Sequence, residues 1–551
     1  MRKPWLDHNP TDVPAEISCE QFKNLGDFFE QQCQRFSERT AFVNMGYELS
    51  YAQLEEQSRH FSAYLRHELK LEKGTRVGLM MPNLLQYPIA LFGVLRAGLV
   101  AVNINPLYTA RELEHQLVDS EAEVIVVVDN FASTLEAVVK KTQVKHVIMT
   151  RIGDMLALPK RTLVNFVVKY VKRMVPSYHL PDAKSFRYCL KLGAEHNFLA
   201  PEIKQSDMAF LQYTGGTTGV AKGAILSHAA ILTNVVQVFG HFAPRTLYQD
   251  EKVVTPLPLY HIFANTVSLM LVMYLGGSNL LITNPRDMDG FIGELKKYPF
   301  TLIFGLNTLF VGLLRHPEFS KLDFSTYRLA IAGGMSTQES VAKQWHEVTG
   351  SPIIEGYGLT ECAPVVAAGM HTEQAFVPGI GVPMPSTLIK IVDSNEQELA
   401  TGELGELWIK GPQLMDGYWK REQDSAEAIT ADGWFRSGDM GYMDERGRFY
   451  VVDRSKDMLL VSGFNVYPSE IEEILMSHPE VKEAAVIGVD DDITGQTVKA
   501  VLVLKGPPVN EKELKQFCRK QLTAYKVPRL YEFRDELPKS AVGKVLKKNL
   551  Q

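Results

Sequence analysis

Helix and strand patterns alternate along the first 200 residues, and this alternation limits the possible folds more than any other feature of the sequence. Residues 54–71 place apolar side chains at helical spacing, and residues 76–81 are typical of a buried strand. A second helical pattern at 87–97 and a second strand at 123–129 continue the series. Strands that alternate with helices predict a parallel sheet covered by helices on both faces.

The pattern of predicted secondary structure changes toward the C-terminal end of the sequence. Further buried strands of the first type are expected at 298–304, 329–334 and 352–356. After residue 380, short alternating strands separated by glycines predict an antiparallel, barrel-like region, at 388–393, 406–410 and 448–452. The last hundred residues combine helix and strand patterns in a compact unit. We therefore predict two domains, 1–453 and 454–551.

Charge and cysteine content exclude several classes of protein. With 58 basic and 64 acidic residues the net charge is −6, so the chain has no overall attraction for nucleic acid and we predict no nucleic-acid partner. The five cysteines form no CxxC pair, which excludes a disulfide scaffold or zinc knuckle and favours a reducing compartment. The N-terminus lacks the apolar core of a secretory signal. A cytoplasmic location is therefore expected.

An uncharged stretch at 253–285 is too interrupted to cross a membrane. Pro256, Pro258 and the pair Gly276-Gly277 leave only 267–275 as a continuous apolar segment. A bilayer-spanning helix needs about 20 such residues. This segment is therefore predicted to be a buried core element.

Residues 155–181 combine basic and apolar side chains without any acidic residue between Met155 and Pro181. A basic amphipathic helix of this kind can lie on the inner, anionic face of a membrane. It can equally be a helix that packs on the core and exposes a basic face. The sequence leaves both alternatives open.

A loop rich in glycine and threonine at 213–223 (YTGGTTGVAKG) carries the clearest chemical signal. Its glycines allow a ligand to approach the backbone closely, while the threonine hydroxyls and backbone N–H groups can donate to phosphate oxygens. Lys222 adds a positive charge. The order of residues is not that of a Walker A loop, because Lys222 precedes Gly223. Phosphate binding without P-loop phosphoryl transfer is the favoured interpretation.

This loop and three later blocks resemble the adenylate-forming superfamily, which includes acyl-CoA synthetases and peptide-synthetase adenylation domains. The later blocks occur in the family's order, at 355–361 (EGYGLTE), at 436–439 with 453–454 (RSGD and DR), and at 538–544 (PKSAVGK). The stretch 432–456 is similar to the fatty-acyl-CoA synthetase signature, and segments such as LPLYHIF and VSGFNVYPSEIE resemble the long-chain acyl-CoA synthetases of bacteria. The resemblance covers essentially the whole chain from residue 49 onward.

The resemblance implies a fold and an activity. The expected fold is α/β: a large N-terminal domain of two parallel αβ-layered subdomains and a small β-barrel, followed by a small mobile α+β domain. The expected reaction is activation of a long-chain fatty acid by ATP to an acyl-AMP, then transfer to coenzyme A with release of AMP and pyrophosphate. Mg²⁺ is the implied cofactor, with ATP and CoA as co-substrates. Relatives that form homodimers leave a homodimer open.

The resemblance also assigns roles to individual residues. Lys544 would bridge the carboxylate and the α-phosphate, Thr360 would donate to that phosphate, and His261 would orient the fatty-acid carboxylate. Glu361 and Thr214 would hold Mg²⁺, a hard cation that takes few carboxylates beside phosphate. The implied ATP-binding set comprises Tyr213, Thr214, Gly215, Gly216, Thr217, Thr218, Gly219, Lys222, Gly334, Glu355, Gly356, Tyr357, Gly358, Asp439 and Arg454.

Two further roles concern the second half-reaction. Lys456 falls at the family's hinge, about which the C-terminal domain rotates between a pose that presents the lysine and a pose that opens a thiol channel. That channel would be lined by Ser462, Gly463 and Phe464. The apolar segments 267–275 and 304–314 are expected walls of a fatty-acid tunnel.

Other interpretations remain at this stage. Lys544 could be a surface lysine of a basic tail, Tyr357 a core residue and His261 a structural histidine. A fatty-acyl-AMP ligase would hand its product to a carrier-protein thiol, but such enzymes usually carry an insertion, and 340–380 shows no obvious extra segment. The joint presence of Lys544, Glu361 and Asp439 argues against a non-catalytic nucleotide- or lipid-binding scaffold.

Overall fold

The computed structural model describes most of the chain. The described residues are 3–214, 221–246, 250–370, 372–454, 456–461, 464–491, 495–506, 509–540 and 543–550.

The strands are β1 Thr40–Asn44, β2 Tyr47–Ser50, β3 Arg76–Met80, β4 Val100–Asn103, β5 Val124–Val128, β6 His146–Thr150, β7 Lys184–Ser185, β8 Met208–Thr214, β9 Lys222–Ser227, β10 Lys252–Thr255, β11 Ser278–Leu281, β12 Leu302–Gly305, β13 Leu329–Gly333, β14 Ile353–Gly358, β15 Val365–Ala368, β16 Val382–Pro383, β17 Leu388–Val392, β18 Gly405–Lys410, β19 Phe435–Met443, β20 Phe449–Arg454, β21 Leu459–Val461, β22 Phe464–Val466, β23 Val481–Asp491, β24 Gly495–Leu504 and β25 Leu530–Phe533.

The α-helices are α1 Trp5–His8, α2 Leu25–Arg35, α3 Tyr51–Ala63, α4 Gln86–Arg96, α5 Ala110–Ser120, α6 Ala132–Glu136, α7 Lys160–Phe166, α8 Phe186–Gly193, α9 His228–Thr246, α10 Leu271–Leu275, α11 Met288–Leu295, α12 Asn307–Arg315, α13 Glu339–Thr349, α14 Glu422–Ala428, α15 Pro468–Met476 and α16 Glu511–Arg519. Wider π-helical turns lie at Tyr64–Glu68, Val167–Val171 and Ala264–Met270, and 3-10 turns at Asp129–Phe131, Val139–Lys141, Phe319–Lys321, Thr360–Cys362 and Lys547–Asn549.

Two largely parallel sheets form the N-terminal part. One has the strand order β7-β6-β5-β3-β4-β8-β9, and its strands run parallel except for the β8–β9 hairpin. The other has the order β16-β15-β14-β13-β12-β10-β11-β1-β2, with antiparallel pairs at its ends. Every residue of β5 is buried, as expected for a strand covered on both faces. The two predicted αβ-layered subdomains are thus confirmed.

Helix α4 packs against β3 and β4 of the first sheet and against α2 and α3. All of its residues are buried, which is the condition under which a helix apolar on every side is stable. Just before α4, Asn83 Nδ2 donates to the carbonyl oxygens of Thr255 and Leu257, each at 2.9 Å. The Asn83 side chain therefore fixes the end of β10 in one sheet to the segment that follows β3 in the other.

The region after residue 380 differs from the expected barrel. Its described strands form an open antiparallel sheet in the order β17-β18-β19-β20 rather than a closed barrel. Side chains alternate between buried and half-buried positions along β19. The inner residues Ile389, Leu407 and Phe435 join the main hydrophobic core, so the apolar face is covered without closure.

The C-terminal unit has the strand order β22-β21-β24-β23, and β25 adds to β24. Helices α15 and α16 cover this sheet around Ile471, Leu475 and Leu514. It is the small α+β unit that the sequence predicts, and the boundary at 453/454 stays a prediction.

Most predicted elements are found with shifted ends. The helix predicted at 54–71 is α3 followed by a π-helical turn, and the strand predicted from residue 298 begins only at Leu302. Pro299 lacks the N–H group that a strand requires for pairing. The segment 267–275 is a helical core element that ends at Gly276, whose φ of 67° is left-handed. Among the described residues, none of the helices is both long enough and apolar enough to cross a bilayer.

Candidate active site

The carboxyl ends of β13 and β14 border the region of the predicted nucleotide site, which we call the crevice. These strands are parallel, and Gly333 lies opposite Gly356 in their register. A Cβ atom on Gly333 would lie 2.9 Å from Cζ of Phe263, so glycine leaves room for that ring. Ligands of open α/β sheets bind outside the carboxyl ends of the strands. Four residues for which nucleotide binding is predicted lie in this part of β14: Glu355, Gly356, Tyr357 and Gly358.

Glu355 itself is held by the backbone. Its carboxylate accepts a hydrogen bond from the N–H group of Thr337 at 2.5 Å. Burial raises the pKa of Glu355 to about 7, although the Thr337 donors oppose that rise. This carboxyl group therefore titrates near neutral pH at the edge of the crevice.

Tyr357, Asp439 and Arg454 form one hydrogen-bonded cluster. The Tyr357 hydroxyl donates to Oδ2 of Asp439, and Arg454 Nε lies 2.9 Å from Oδ1 of the same carboxylate. Asp439 and Arg454 are directly opposed in the β19–β20 pair, which explains why residues fifteen positions apart meet. Burial lowers the pKa of Arg454, but the combined effect of Asp439, Tyr357, Glu361 and Asp457 outweighs it, and the net shift is upward. The predicted ribose-binding pair is assembled, beside Tyr357.

Glu361 lies on the 3-10 turn that follows β14. Its Oε1 accepts a hydrogen bond from the Tyr418 hydroxyl at 2.8 Å, and its backbone carbonyl accepts one from Met415 N at 2.8 Å. Thr360 is on the same turn. Within the described residues, no three His, Cys, Asp or Glu side chains gather as a metal cage. A lone carboxylate with neighbouring hydroxyl oxygens suits Mg²⁺, which keeps phosphate and water ligands, better than a metal held by protein alone.

The β8–β9 hairpin carries both ends of the glycine–threonine loop. Thr214 and Lys222 are opposite each other in its register. Lys222 Nζ forms an ion pair with Asp424 Oδ1 at 2.6 Å, and the Tyr213 hydroxyl donates to Asp119 Oδ2 at 2.6 Å. Tyr213 is thereby fixed from outside the loop. The predicted residues Gly215, Gly216, Thr217, Thr218 and Gly219 lie outside the described part of the chain.

Lys544 reaches this crevice from the C-terminal unit. Its Cε lies 3.5 Å from the position of a Cβ atom on Gly334, whose φ is 81°. The hairpin that carries it is closed by Ser540 N, which donates to the carbonyl oxygen of Lys544 at 2.7 Å. Desolvation lowers the pKa of Lys544, and so does the Arg454 charge, while Asp439 and Glu361 oppose them. Four of the predicted groups therefore share one electrostatic environment.

His261 lies at the entrance to the buried 264–275 helical segment. Burial lowers its pKa to about 4, and the Lys544 charge acts in the same direction. The Phe263 N–H group donates to Nδ1 at 3.3 Å, so that nitrogen is an acceptor. The histidine is thus a neutral ring between the predicted acyl tunnel and Lys544.

The residues predicted for the second half-reaction belong to the first part of the C-terminal unit. Lys456 is described, and burial with the neighbouring Arg454 lowers its pKa. Phe464 is exposed and stacks on Tyr525 of its own C-terminal unit, with ring centroids 4.7 Å apart. Ser462 and Gly463 lie outside the described residues.

Sequence reasoning did not identify Tyr418 or Asp424, although each contacts a predicted site residue. The signal was weak: Gly417-Tyr418 follows β18, and the aromatic residue has no spacing relation to Glu361 in the sequence. The contact becomes visible only when the segment after β18 is placed beside β9.

Two stretches of this chain match families of adenylate-forming enzymes. A family described as "AMP-binding enzyme" matches residues 29–419, and its C-terminal domain, "AMP-binding enzyme C-terminal domain", matches residues 470–544. The chain belongs to the AMP-binding enzyme family.

The names of individual relatives indicate which members of this family the chain is similar to. The chain is 55% identical over 551 residues to "Long-chain-fatty-acid--CoA ligase" of Escherichia coli O157:H7, which covers 100% of the chain and 98% of the relative. It is 37% identical over 552 residues to the protein of the same name from Bacillus subtilis, with the same coverage.

Solved structures agree with this placement. ATP-bound MatB from Rhodopseudomonas palustris superimposes with a TM-score of 0.82 at 26% identity, over 96% of this chain and 98% of that one. The anthranilate CoA ligase AuaEII in complex with anthranoyl-AMP superimposes with a TM-score of 0.85 at 24% identity, over 97% and 98%. The second likeness concerns the fold alone.

Proposed function

We propose that this protein is an ATP-dependent ligase that activates long-chain fatty acids to acyl-CoA through an acyl-AMP intermediate, releasing AMP and pyrophosphate. One observation carries the proposal most strongly. Lys544 of the C-terminal unit shares the crevice with Glu361 and with the Asp439–Arg454 pair, although these residues are far apart in the sequence. The names of relatives 52–55% identical over the whole chain support the long-chain substrate.

The first half-reaction brings two anions together, the fatty-acid carboxylate and the α-phosphate. Lys544 supplies the positive charge where negative charge accumulates, and Thr360 donates a hydroxyl hydrogen bond to the phosphate. His261, neutral at physiological pH, orients the carboxylate at the mouth of the buried 264–275 segment. Asp439 accepts hydrogen bonds from the ribose hydroxyls, and Tyr357 lies beside the base.

The Glu361 carboxylate and the Thr214 hydroxyl are oxygen donors of the kind that Mg²⁺ prefers. Glu361 would hold the ion together with Thr214, and the predicted loop 215–219 would cover the phosphates. When bound, the ion neutralises phosphate charge during loss of pyrophosphate.

We assign the second half-reaction to a rotation of the C-terminal domain, 454–551, about Lys456. Two contacts support the pose described here as the one that serves adenylation. Ser469 N donates to Asp453 Oδ2 at 2.9 Å, and Gln338 Nε2 lies 2.8 Å from Sδ of Met476. Release of these contacts would free the unit to bring Ser462, Gly463 and Phe464 to a thiol channel for CoA.

The activity is tested by measuring AMP release with palmitate, ATP, Mg²⁺ and CoA, and with each component omitted. We expect AMP and palmitoyl-CoA in equal amounts, and little AMP without palmitate. Acyl-AMP that accumulates and does not react when CoA is added would contradict CoA transfer. That result would favour the alternative, a fatty-acyl-AMP ligase that loads a carrier-protein thiol.

We also propose that residues 155–181 contact an anionic membrane. No residue of α7 or of the following π-helical turn is fully buried, and of these residues Val164 packs against the main core. The exposed apolar side chains are Leu158, Leu163, Phe166, Tyr170, Val171 and Met174, each at least half exposed. Basic residues interleaved with this surface complement anionic lipid headgroups.

Charge reversal tests this contact. Changing Lys169, Lys172 and Arg173 to Glu is expected to lower sedimentation with phosphatidylglycerol vesicles and leave phosphatidylcholine vesicles unaffected. A variant with three other exposed lysines changed to Glu carries a comparable charge change and serves as the control: Lys140, Lys482 and Lys512. Equal binding by both variants would contradict the proposal. The homodimer that the family leaves open is checked by measuring the molar mass in solution.

A further inference from the structure

The segment 415–425 connects the two charged groups at the phosphate end of the crevice. Met415 N donates to the Glu361 carbonyl at 2.8 Å, and Trp419 N donates to the Gly223 carbonyl at 2.8 Å. Between them, Ile225 N donates to the Gly417 carbonyl at 2.9 Å. The segment is thus hydrogen-bonded both to the turn that carries Glu361 and to the strand that begins with Lys222.

Within this segment, the Tyr418 side chain lies between the carboxylate and the cation. Its hydroxyl donates to Glu361 Oε1 at 2.8 Å, and Lys222 Nζ lies 5.3 Å from the centroid of its ring. Its backbone N–H group donates to Ser425 Oγ at 2.8 Å, which fixes the base of the side chain. One half-buried aromatic residue therefore contacts both predicted phosphate-end groups.

The segment 415–425 also forms an ion pair with Lys222. Lys222 Nζ is 2.6 Å from Asp424 Oδ1, and the two side chains are each about one-third exposed. The ring of Tyr418 and the carboxylate of Asp424 thus restrict the ammonium from two directions.

We propose that Tyr418 is a positioning residue that orients the Glu361 carboxylate and the Lys222 ammonium for binding of a metal–nucleoside triphosphate. This inference rests on the proposed function, in which Glu361 is a Mg²⁺ ligand. With Oε1 engaged by the tyrosine hydroxyl, the carboxylate is held in one rotation and presents Oε2 to the cation. Residues that orient a ligand in this way typically change metal affinity by 10- to 100-fold when they are removed.

The test distinguishes a specific loss of positioning from a general loss of the folded structure. Tyr418→Phe removes the hydroxyl and keeps the ring, so the bond to Glu361 is lost while the contact with Lys222 remains. We expect Mn²⁺ binding in the presence of α,β-methylene-ATP, followed by electron paramagnetic resonance, to weaken about tenfold. The Mg²⁺ concentration for half-maximal AMP release should rise by a similar factor, with kcat at saturating Mg²⁺ nearly unchanged.

A matched control is Tyr442→Phe. Tyr442 lies on β19 and stacks on Tyr450 with ring centroids 4.8 Å apart, outside the 415–425 segment. Its variant should bind Mn²⁺ as the unchanged protein does. Thermal unfolding of both variants checks that they are folded.

Glu361→Gln distinguishes the metal-binding role proposed for Glu361 from the positioning role proposed for Tyr418. If this variant binds Mn²⁺–nucleotide as well as the unchanged protein, the metal role of Glu361 in the proposed function is wrong. If Glu361→Gln weakens binding but Tyr418→Phe does not, the positioning role alone is overturned. A lower kcat for Tyr418→Phe with unchanged Mn²⁺ affinity would also overturn it.

Discussion

Replacement of Lys544 by alanine should separate the two half-reactions. The lysine enters the crevice from the C-terminal unit, with its Cε against Gly334 and its charge close enough to affect His261. We expect Lys544→Ala to abolish most acyl-AMP formation while ATP still binds. Transfer of a supplied acyl-AMP to CoA should continue, because we assign that step to the other proposed pose of the C-terminal domain.

The size of the effect follows from electrostatics. An ammonium about 4 Å from an anionic oxygen, at an effective dielectric constant of about 20, interacts by about 4 kcal/mol. If this interaction forms fully only in the transition state, its loss slows adenylation roughly a thousandfold.

The assay is single-turnover formation of acyl-AMP from palmitate and ATP, with ATP affinity measured separately by calorimetry. Lys548→Ala is the control, because this exposed lysine belongs to the same basic tail. Adenylation in Lys544→Ala within about threefold of the control would refute the role of this lysine. A loss of ATP binding equal to the loss of rate would refute the claim that it acts in the transition state.

Three further outcomes are expected. Asp439→Ala should weaken ATP binding about 10- to 100-fold, because it removes the buried carboxylate that we propose accepts the ribose hydroxyls, and an unchanged Kd by calorimetry would contradict this. His228 is buried and accepts from Leu25 N, and burial lowers its pKa to about 4. Because the folded protein favours the neutral ring, the titration of His228 does not affect the free energy of unfolding above its ordinary pKa of 6.5. That free energy falls as the pH is lowered from 6.5 toward 4, by about 3 kcal/mol in all. His228→Gln should therefore reduce the decrease of Tm in acid. Trp345→Ala should cost about 3–5 kcal/mol of unfolding free energy, since its ring is buried against Phe310; a loss below about 1 kcal/mol in denaturant titrations would contradict the packing.

Local patterns in the sequence predicted the elements that carry most of the site. The buried strand at 329–334 and the strand at 352–356 were found where expected, and their parallel pairing places Gly333 beside Gly356. The pairing of Asp439 with Arg454 follows from a short hairpin, so residues close in the sequence meet for a local reason.

Contacts between distant segments could not be predicted in this way. The order of strands in a sheet depends on which edges pack best in three dimensions, and periodicity carries no information about it. For the same reason the bond from Tyr418 to Glu361, across 57 positions, left no pattern in the sequence. The expected barrel was an open sheet because the neighbouring core, rather than the strands themselves, covers its apolar face.

The strand order has a consequence for how the chain matures on the ribosome. Strands β3 to β9 occupy a continuous stretch, so their sheet can assemble as soon as that stretch has emerged. The β1–β2 hairpin must wait much longer, because its partner β11 is synthesised more than 200 residues later. During that interval the edge of β1 that will pair with β11 stays exposed, and slowing translation just before β11 should prolong this exposure.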